Sequence, residues 1–225
     1  MRSLRTQTLG LVLLLLFSLL VGLALPAAAG SGFGPRIPTA YFVTTGIGQS
    51  DEGIPPDPYE TFSYDLALQA AGIENFNVVY YTSVLPPESY EVQLRDVRRF
   101  FRHGSVLETI MAKAGGVGGD TVAAGVGRVW AVDADGRFVG GFAAECIRIY
   151  EKRKVSEDQA HADAVDQLTR SLTHELQIRG LVQHGEMAFA VTSLYIEKKY
   201  GMALAALGFI GFIYPDPYPI DFAND

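Results

Sequence analysis

Apolar residues recur at the spacing of a helix in two parts of the chain, and the first has clear signals at both ends. Asp57 and Pro58 fit the N-cap and first helical positions, and Gly72 follows the last periodic residue. These signals predict a helix over residues 58–71. Asp65 lies beside its apolar positions, where an exposed helical acid is the ordinary interpretation. The positions predicted to be buried are Phe62, Leu66, Leu68 and Ala70.

The second helical pattern is longer and more regular. Ser156 and Gln159 form a capping pair before it and Gly180 follows it, which predicts a helix from about Glu157 to Arg179. Its apolar residues fall on one stripe, so this helix is expected to pack on a sheet. They are Ala160, Ala164, Leu168, Leu172 and Leu176.

Elsewhere the pattern is typical of strands, although residues 89–116 mix strand and loop character. Asp135 and Gly136 separate two of the strand-like runs and predict a hairpin turn. Because helices and strands do not alternate regularly, a doubly wound sheet is not favoured. The expected fold is α+β: a layered αββα-type sandwich of antiparallel or mixed sheet with the helices packed outside. The strand-like runs are residues 39–48, 75–83, 121–132, 137–150, 187–196 and 202–214.

One strand-like run ends in a hydroxyl pair. In NFNVVYYTS, β-branched and aromatic residues lead into Thr82 and Ser83, and two prolines follow shortly afterwards. A strand has a period of two, so Asn77 and Ser83 are predicted to point to the same face. No histidine is placed by its sequence context to act with Ser83 in a catalytic triad. These residues alone specify no reaction.

Glu145 is the second unusual residue, because it lies inside the apolar strand-like segment GGFAAECIRI. Counting by twos puts Ala143 and Ile147 on its face, and a carboxylate is seldom buried there without a partner or a function. An ion pair with Arg148 or Lys152 is the structural alternative, and the sequence leaves both interpretations open.

Composition limits the class of protein. With 225 residues, of which 48% are hydrophobic, the chain fits one or at most two domains with a sizeable core. Its formal net charge of −7 argues against nucleic-acid binding, although the charge also serves solubility. The single cysteine, Cys146, cannot form an intrachain disulfide. No histidine and glutamate have the spacing of a zinc motif, so no metal is expected.

The N-terminus has the order of a secretory signal. Arg2 and Arg5 precede the apolar run LGLVLLLLFSLLVGLAL, and Ala27-Ala28-Ala29 has the form of a cleavage site. Residues 1–29 are therefore expected to be a signal peptide, with Gly30 as the mature start and an extracytoplasmic location. The main alternative is that the segment is an uncleaved membrane anchor. The other is that the start codon is wrongly assigned and the protein is cytoplasmic.

Three segments together resemble one enzyme family: GIGQSDEGIPPDPYETFSYD, IENFNVVYYTSVLPPE and GGFAAE. The resemblance runs from about Ile37 to Phe212, and the chain is similar to the pyruvoyl-dependent arginine decarboxylases. The hydrophobic leader departs from the family, whose members are generally cytoplasmic.

The resemblance implies that the chain cuts itself between Thr82 and Ser83. In the family the serine hydroxyl attacks the preceding carbonyl, and the serine then becomes a covalently bound pyruvoyl group, the cofactor. Asn77 matches the family's asparagine that stabilises the oxyanion. The products would be a small chain of residues 30–82 and a large chain of residues 83–225.

The resemblance also assigns roles in turnover. The pyruvoyl carbonyl would bind the α-amine of arginine, and the products would be agmatine and carbon dioxide. Glu145 matches the family's general acid, and Asp65 matches a position associated with the guanidinium group of the substrate. The family further implies a homotrimer of cleaved protomers with active sites between neighbours, and membrane contact only through the leader.

Two other functions remain open at this point. The same mechanism could act on another amino acid. A protein of another class, an uncleaved and non-enzymatic extracytoplasmic binding protein, could keep the same fold.

Overall fold

The computed structural model describes residues 35–214, so the predicted leader at residues 1–29 and its cleavage site lie outside the described residues. The helices are α1 (Phe62–Ala71), α2 (Leu94–Val97) and α3 (Glu157–Gln177), and short 3-10 turns occupy Pro58–Glu60 and Arg98–Phe100. The strands are β1 (Ile37–Pro38), β2 (Ala40–Ser50), β3 (Asn77–Tyr80), β4 (Val84–Leu85), β5 (Tyr90–Glu91), β6 (Val106–Val117), β7 (Thr121–Val132), β8 (Phe138–Tyr150), β9 (Val182–Tyr195), β10 (Tyr200–Phe209) and β11 (Phe212–Ile213).

Two sheets form the inner layers of the fold. The five-stranded sheet has the order β3-β6-β10-β2-β5, the four-stranded sheet has the order β4-β8-β7-β9, and β1 pairs separately with β11. Helix α1 packs on the five-stranded sheet and α3 on the four-stranded sheet, while β6 and β10 face β7 and β8. The predicted αββα sandwich with mixed sheets and outer helices is confirmed.

Helix α3 and the β7–β8 hairpin match the sequence prediction closely. The side chain of Ser156 accepts the N–H of Gln159 at the N-cap, and all five residues of the predicted stripe are buried. Strand β7 coincides with residues 121–132, and Gly136 has a positive φ of 79° in the predicted turn. The ambiguous stretch 89–116 contains β5, α2 and most of β6, an inner strand of the five-stranded sheet.

Helix α1 buries a different face from the one predicted. Phe62 and Leu66 are 41% and 42% exposed, and the buried residues are Ser63, Ala67, Leu68 and Ala71. The prediction was right for Leu68 and wrong for Phe62, Leu66 and Ala70, because β2 lies close to the helix. A Cβ added at Gly46 would lie 2.1 Å from the Ala67 carbonyl oxygen, so the contact admits only small residues. The glycines of this segment therefore serve helix packing.

The start of the first helix also differs from the prediction. Asp57 makes no side-chain cap, and its carbonyl accepts the N–H of Glu60 (2.9 Å) within a 3-10 turn before α1. The predicted end is confirmed, because Gly72 adopts a left-handed φ of 73° and donates its N–H to the carbonyl of Gln69.

Residues on both sides of Ser83 build the same sheet and the same core. Strand β2, which precedes Ser83, lies between β10 and β5, which follow it. Phe42 and Ile73 from before Ser83 pack in one cluster with Leu107 and Leu204 from after it. A cut before Ser83 would thus leave two chains held together by strand pairing and a shared core. Within residues 35–214 no helix has the length and apolarity needed to cross a membrane.

Candidate active site

Ser83 lies where the chain passes from one sheet to the other. The N–H of Tyr81 donates to the Thr109 carbonyl (2.7 Å) on β6 of the five-stranded sheet. Two residues later, the carbonyl of Ser83 accepts the N–H of Ala143 (2.8 Å) on β8 of the four-stranded sheet. The intact Thr82-Ser83 peptide bond therefore bridges the two sheets, with Ser83 half-buried and Thr82 exposed.

The backbone just after Ser83 is packed closely against β8. Strand β4 pairs with β8 through Val84 opposite Phe142 and Leu85 opposite Gly141. A Cβ added at Gly140, whose φ is +98°, would lie 2.4 Å from the Leu85 carbonyl oxygen. Both the backbone conformation and the close approach require glycine there. The segment that carries Ser83 is thus held tightly on its C-terminal side.

Glu145 lies on the same face of the four-stranded sheet as Ser83. The register of β4 against β8 places Ser83 opposite Ala143, and Glu145 follows two residues along β8. Residues with this relation are diagonal neighbours in an antiparallel ladder, with Cβ atoms about 7 Å apart. The structure therefore brings these two sequence-predicted site residues together.

The surroundings of Glu145 are mainly apolar. Its cross-strand neighbour Val126 is buried, and Ile147 and Ile149 continue its face as exposed side chains. Desolvation raises the pKa of the Glu145 carboxyl above its usual range, and a hydrogen bond from its own backbone N–H opposes this only in part. The side chain keeps an exposed surface in the single protomer.

The ion pair offered as the structural role of Glu145 does not form among residues 35–214. Lys152 donates to the Gly118 carbonyl (2.8 Å) and lies 3.8 Å from an oxygen of Asp120. Arg148 points to the opposite face of β8, where it contacts the Asp163 carbonyl (3.4 Å). A carboxyl without a cationic partner, in apolar surroundings, fits a proton donor better than a structural anion.

Asn77 does not share a strand face with Ser83, and the prediction of a shared face was wrong. Strand β3 ends at Tyr80, and the chain then changes sheets, so the period of two is broken before Ser83. Residues 77–81 pair with β6 at about 3.3 Å of rise per residue, which carries the chain roughly 13 Å from Asn77 before it turns. The side-chain amide of Asn77 donates to the Gly104 carbonyl (2.9 Å).

Asp65 also lies away from Ser83 within the protomer. It is exposed on α1, and α1 packs on the outer side of the five-stranded sheet against β2 and β10. Of the predicted site residues, the single protomer thus groups Thr82, Ser83 and Glu145. Asn77 and Asp65 stand apart from them on the half of the molecule built on the five-stranded sheet.

Residues 40–213 match the family model described as pyruvoyl-dependent arginine decarboxylase (PvlArgDC), nearly the whole described region. The chain belongs to this family. The enzymes of the family depend on a pyruvoyl group, as the family's name states.

Named relatives agree with the family assignment. The pyruvoyl-dependent arginine decarboxylase AaxB of Chlamydia caviae is 45% identical over 193 residues, which are 84% of this chain and 98% of the relative. AaxB of Chlamydia pneumoniae is 42% identical over 194 residues, covering 84% and 99% of the two chains. Pyruvoyl-dependent arginine decarboxylase 2 of Archaeoglobus fulgidus is 33% identical over 110 residues, covering 48% and 64%.

The residues at the sheet crossing fit the origin of a pyruvoyl group. Such a group needs a serine whose hydroxyl can reach the carbonyl of the residue before it. Ser83 follows an exposed residue, Thr82, whose neighbours are held by different sheets. A carboxyl with a raised pKa, that of Glu145, lies on the same face one strand away. The chain thus has a serine at a position that fits this requirement, with an acid on the same face of the sheet.

Sequence reasoning missed two polar pairs close to Ser83, of which the first includes a buried carboxylate. Tyr81 donates its hydroxyl to Glu108, which is 3% exposed on β6. Arg128, opposite Ala143 on β7, forms an ion pair with Glu91. Glu108 lies in the apolar run VLETIM, the same signal that singled out Glu145, so this residue was within reach of the sequence.

Proposed function

We propose that this protein is a self-processing enzyme that converts L-arginine to agmatine and carbon dioxide with a pyruvoyl group made from Ser83. The observation that carries the proposal is the position of Ser83 and Glu145 on one face of the four-stranded sheet. The substrate follows from the names of the relatives, which are arginine decarboxylases.

Maturation begins when Oγ of Ser83 attacks the carbonyl carbon of Thr82. The peptide C–N bond breaks, an ester forms, and the hydroxyl proton passes to the new α-amino group of residue 83. Loss of the Cα proton of residue 83 then breaks the Cβ–O bond, which releases Thr82 as a carboxylate and leaves dehydroalanine. Addition of water and release of ammonia give the pyruvoyl group.

During turnover Glu145 returns a proton to the substrate. A pyruvoyl group at residue 83 would supply a carbonyl for the α-amine of the substrate and an electron sink for the loss of carbon dioxide. Glu145 then delivers its proton to Cα of the substrate. Because desolvation raises its pKa, this carboxyl is protonated in a larger fraction of molecules near neutral pH than an ordinary glutamate.

A panel of amino acids incubated with the purified protein tests the function. L-Arginine is expected to release carbon dioxide and agmatine, and ornithine, lysine and aspartate little or nothing. A different preferred substrate would favour the same mechanism on another amino acid. An intact single chain that releases no carbon dioxide from any of them would favour the non-enzymatic binding protein.

We also propose that three cleaved protomers assemble with their active sites between neighbours. The family implies this number and arrangement, and the position of Asn77 and Asp65 away from Ser83 supports it. A neighbouring protomer would bring the Asn77 amide to the oxyanion and Asp65 to the guanidinium group. Exposed apolar side chains, on α1 and beside Glu145, are available for such contacts: Phe62, Leu66, Ile147 and Ile149.

If the active sites are shared between protomers, two inactive variants are expected to regain activity when they assemble into the same trimer. Glu145→Gln and Asp65→Asn would each inactivate every site of their own homotrimer. In each trimer that contains both variants, one of the three sites joins an intact Glu145 from one protomer to an intact Asp65 from its neighbour. Co-expression with two affinity tags, sequential purification and an agmatine assay measure this recovery, and light scattering gives the number of protomers.

The matched control mixes Glu145→Gln with Ser83→Ala. Both lesions lie in the same half of the proposed site, so no mixture of these protomers contains an intact site. Recovery in the first mixture but not in the second supports shared sites. No recovery in the first mixture, with mixed trimers demonstrated by the two tags, would contradict them.

We propose that the leader directs export and is removed before Gly30. Its basic, apolar and small-residue segments stand in the order of a signal peptide. Formation of the pyruvoyl group needs no imported cofactor, so export and activity are compatible. Fractionation of the native host and N-terminal sequencing should find an extracytoplasmic chain beginning at Gly30. An intact leader on cytoplasmic protein would contradict export.

A further inference from the structure

A buried carboxylate lies beside the cleavage site and has no role in the mechanism above. Glu108 is 3% exposed and occupies the inner face of β6, where its register partners are Val79 and Phe209. The hydroxyl of Tyr81 donates a hydrogen bond to it. A hydrogen bond to a carboxylate is stronger than one between neutral groups, so this bond favours one position of the Tyr81 side chain.

Tyr81 is held on β6 at both its backbone and its side chain. Its N–H donates to the Thr109 carbonyl (2.7 Å), its hydroxyl donates to Glu108, and its ring packs on Phe209 with centroids 5.5 Å apart. Tyr81 is the residue immediately before Thr82. The N-terminal side of the Thr82-Ser83 peptide is therefore fixed to the five-stranded sheet.

The C-terminal side of the same peptide is fixed to the other sheet. The carbonyl of Ser83 accepts the N–H of Ala143 (2.8 Å), and β4 continues this pairing. Thr82 alone separates the two attachments. The orientation of its carbonyl relative to the Ser83 hydroxyl is thus set by Tyr81 on one side and by Ala143 on the other.

Self-cleavage depends on that orientation. An intramolecular attack gains most of its rate from holding the two reacting atoms about 3–3.5 Å apart, and a misplacement of about 1 Å can cost about a hundredfold. We propose that the Tyr81–Glu108 hydrogen bond is a positioning pair that presents the Thr82 carbonyl to Oγ of Ser83. This inference rests on the proposed self-cleavage and adds two positioning residues to it.

Tyr81→Phe tests the pair, because it keeps the ring against Phe209 and removes only the hydroxyl. The half-time of cleavage, followed from freshly synthesised precursor by gel, is expected to lengthen at least about tenfold. Once cleavage is complete, kcat per pyruvoyl group should equal that of the unaltered protein. This separation of cleavage from turnover distinguishes a positioning role from general damage to the fold.

Tyr150→Phe is the matched control. Tyr150 also donates its hydroxyl to a carboxylate, that of Asp163 (2.6 Å), but the pair lies at the far end of β8 against α3. Thermal unfolding of both variants in a Ser83→Ala background compares their stability without cleavage. Slow cleavage in Tyr81→Phe and normal cleavage in Tyr150→Phe, at similar stability, supports the inference.

Three results would overturn the positioning role and leave the proposed function standing. They are cleavage of Tyr81→Phe within about twofold of normal, equal slowing in both phenylalanine variants, and a fall in kcat as large as the fall in cleavage rate.

If Tyr81→Phe does not accumulate as folded protein, Glu108→Gln replaces it. A neutral acceptor weakens the bond, so at least about threefold slower cleavage is expected and an unchanged rate would overturn the role. Failure of the unaltered protein to cleave would instead contradict the proposed function.

Discussion

Ser83→Ala is expected to remain one uncleaved chain with no arginine decarboxylase activity, while the unaltered protein gives two chains. The substitution removes the hydroxyl that attacks the Thr82 carbonyl, so neither the ester nor the pyruvoyl group can form. The fold should persist, because the Ser83 contact with Ala143 uses the backbone carbonyl and not the side chain. Intact-mass analysis, a denaturing gel and an agmatine assay on one preparation measure all three outcomes.

Ser89→Ala is the matched control for this result. Ser89 is a buried serine six residues further along, and its hydroxyl donates to the Pro86 carbonyl (2.5 Å). This variant should still cleave and turn over arginine, with some loss of stability from the missing hydrogen bond. Two chains from Ser83→Ala would place the cut elsewhere. One chain from both variants would show that cleavage fails for a reason other than the missing nucleophile.

Helices and strands could be predicted from the sequence where the spacing of their apolar residues matches a single buried face. Helix α3 buries the five residues of its apolar stripe, because this stripe packs on strands β7, β8 and β9 of the four-stranded sheet. The β7–β8 hairpin is defined locally by alternation and by the glycine turn at Gly136. In both cases local signals and tertiary packing agree.

Helix α1 shows where such a pattern fails. The sequence predicts that its largest apolar residues, Phe62 and Leu66, are buried, but β2 approaches the helix so closely that small residues occupy the contact. The sequence signal for this close contact is the pair Gly46 and Gly48 on β2, about twenty residues before the helix residues that they touch. These glycines could be interpreted equally well as a ligand loop until the helix is placed against them.

The positions of the candidate site residues could be predicted from the sequence only in part. Glu145 stands out as a carboxylate in an apolar strand, and the structure places it one strand from Ser83. The change of sheets at Thr82 leaves no local signal, because residues 75–83 have the composition of one strand that continues to Ser83. Only the long-range pairing of Tyr81 with β6 and of Ser83 with β8 reveals it. For that reason Asn77 was placed wrongly.

Glu145→Gln is expected to cleave normally and to lose about 10²–10⁴-fold in agmatine formation, the usual cost of removing a general acid. The amide keeps the shape of the side chain but has no acidic proton for Cα of the substrate. Cleavage should survive, because it depends on the Ser83 hydroxyl and on the position of Thr82. Chain cleavage, pyruvoyl content and kcat are measured on the same preparation.

Glu151→Gln is the matched control, since Glu151 is an exposed acid just after β8. It makes the same chemical change outside the apolar face and should leave kcat within about twofold of normal. A cleaved Glu145→Gln enzyme with near-normal turnover would remove Glu145 from the mechanism. Reduced stability with normal turnover would favour a purely structural role for Glu145 instead.

The pH dependence of the unaltered enzyme provides a second test of Glu145. The protonated carboxyl is the active form, and desolvation raises its pKa, so kcat should hold below that pKa and fall as the pH rises through it. An ordinary glutamate would already be ionised at that pH, so the falling limb of its kcat–pH profile would lie at lower pH. Glu145→Gln has no group to titrate, so its residual kcat should lack this limb. A limb unchanged in Glu145→Gln would belong to another residue and would contradict the assigned role.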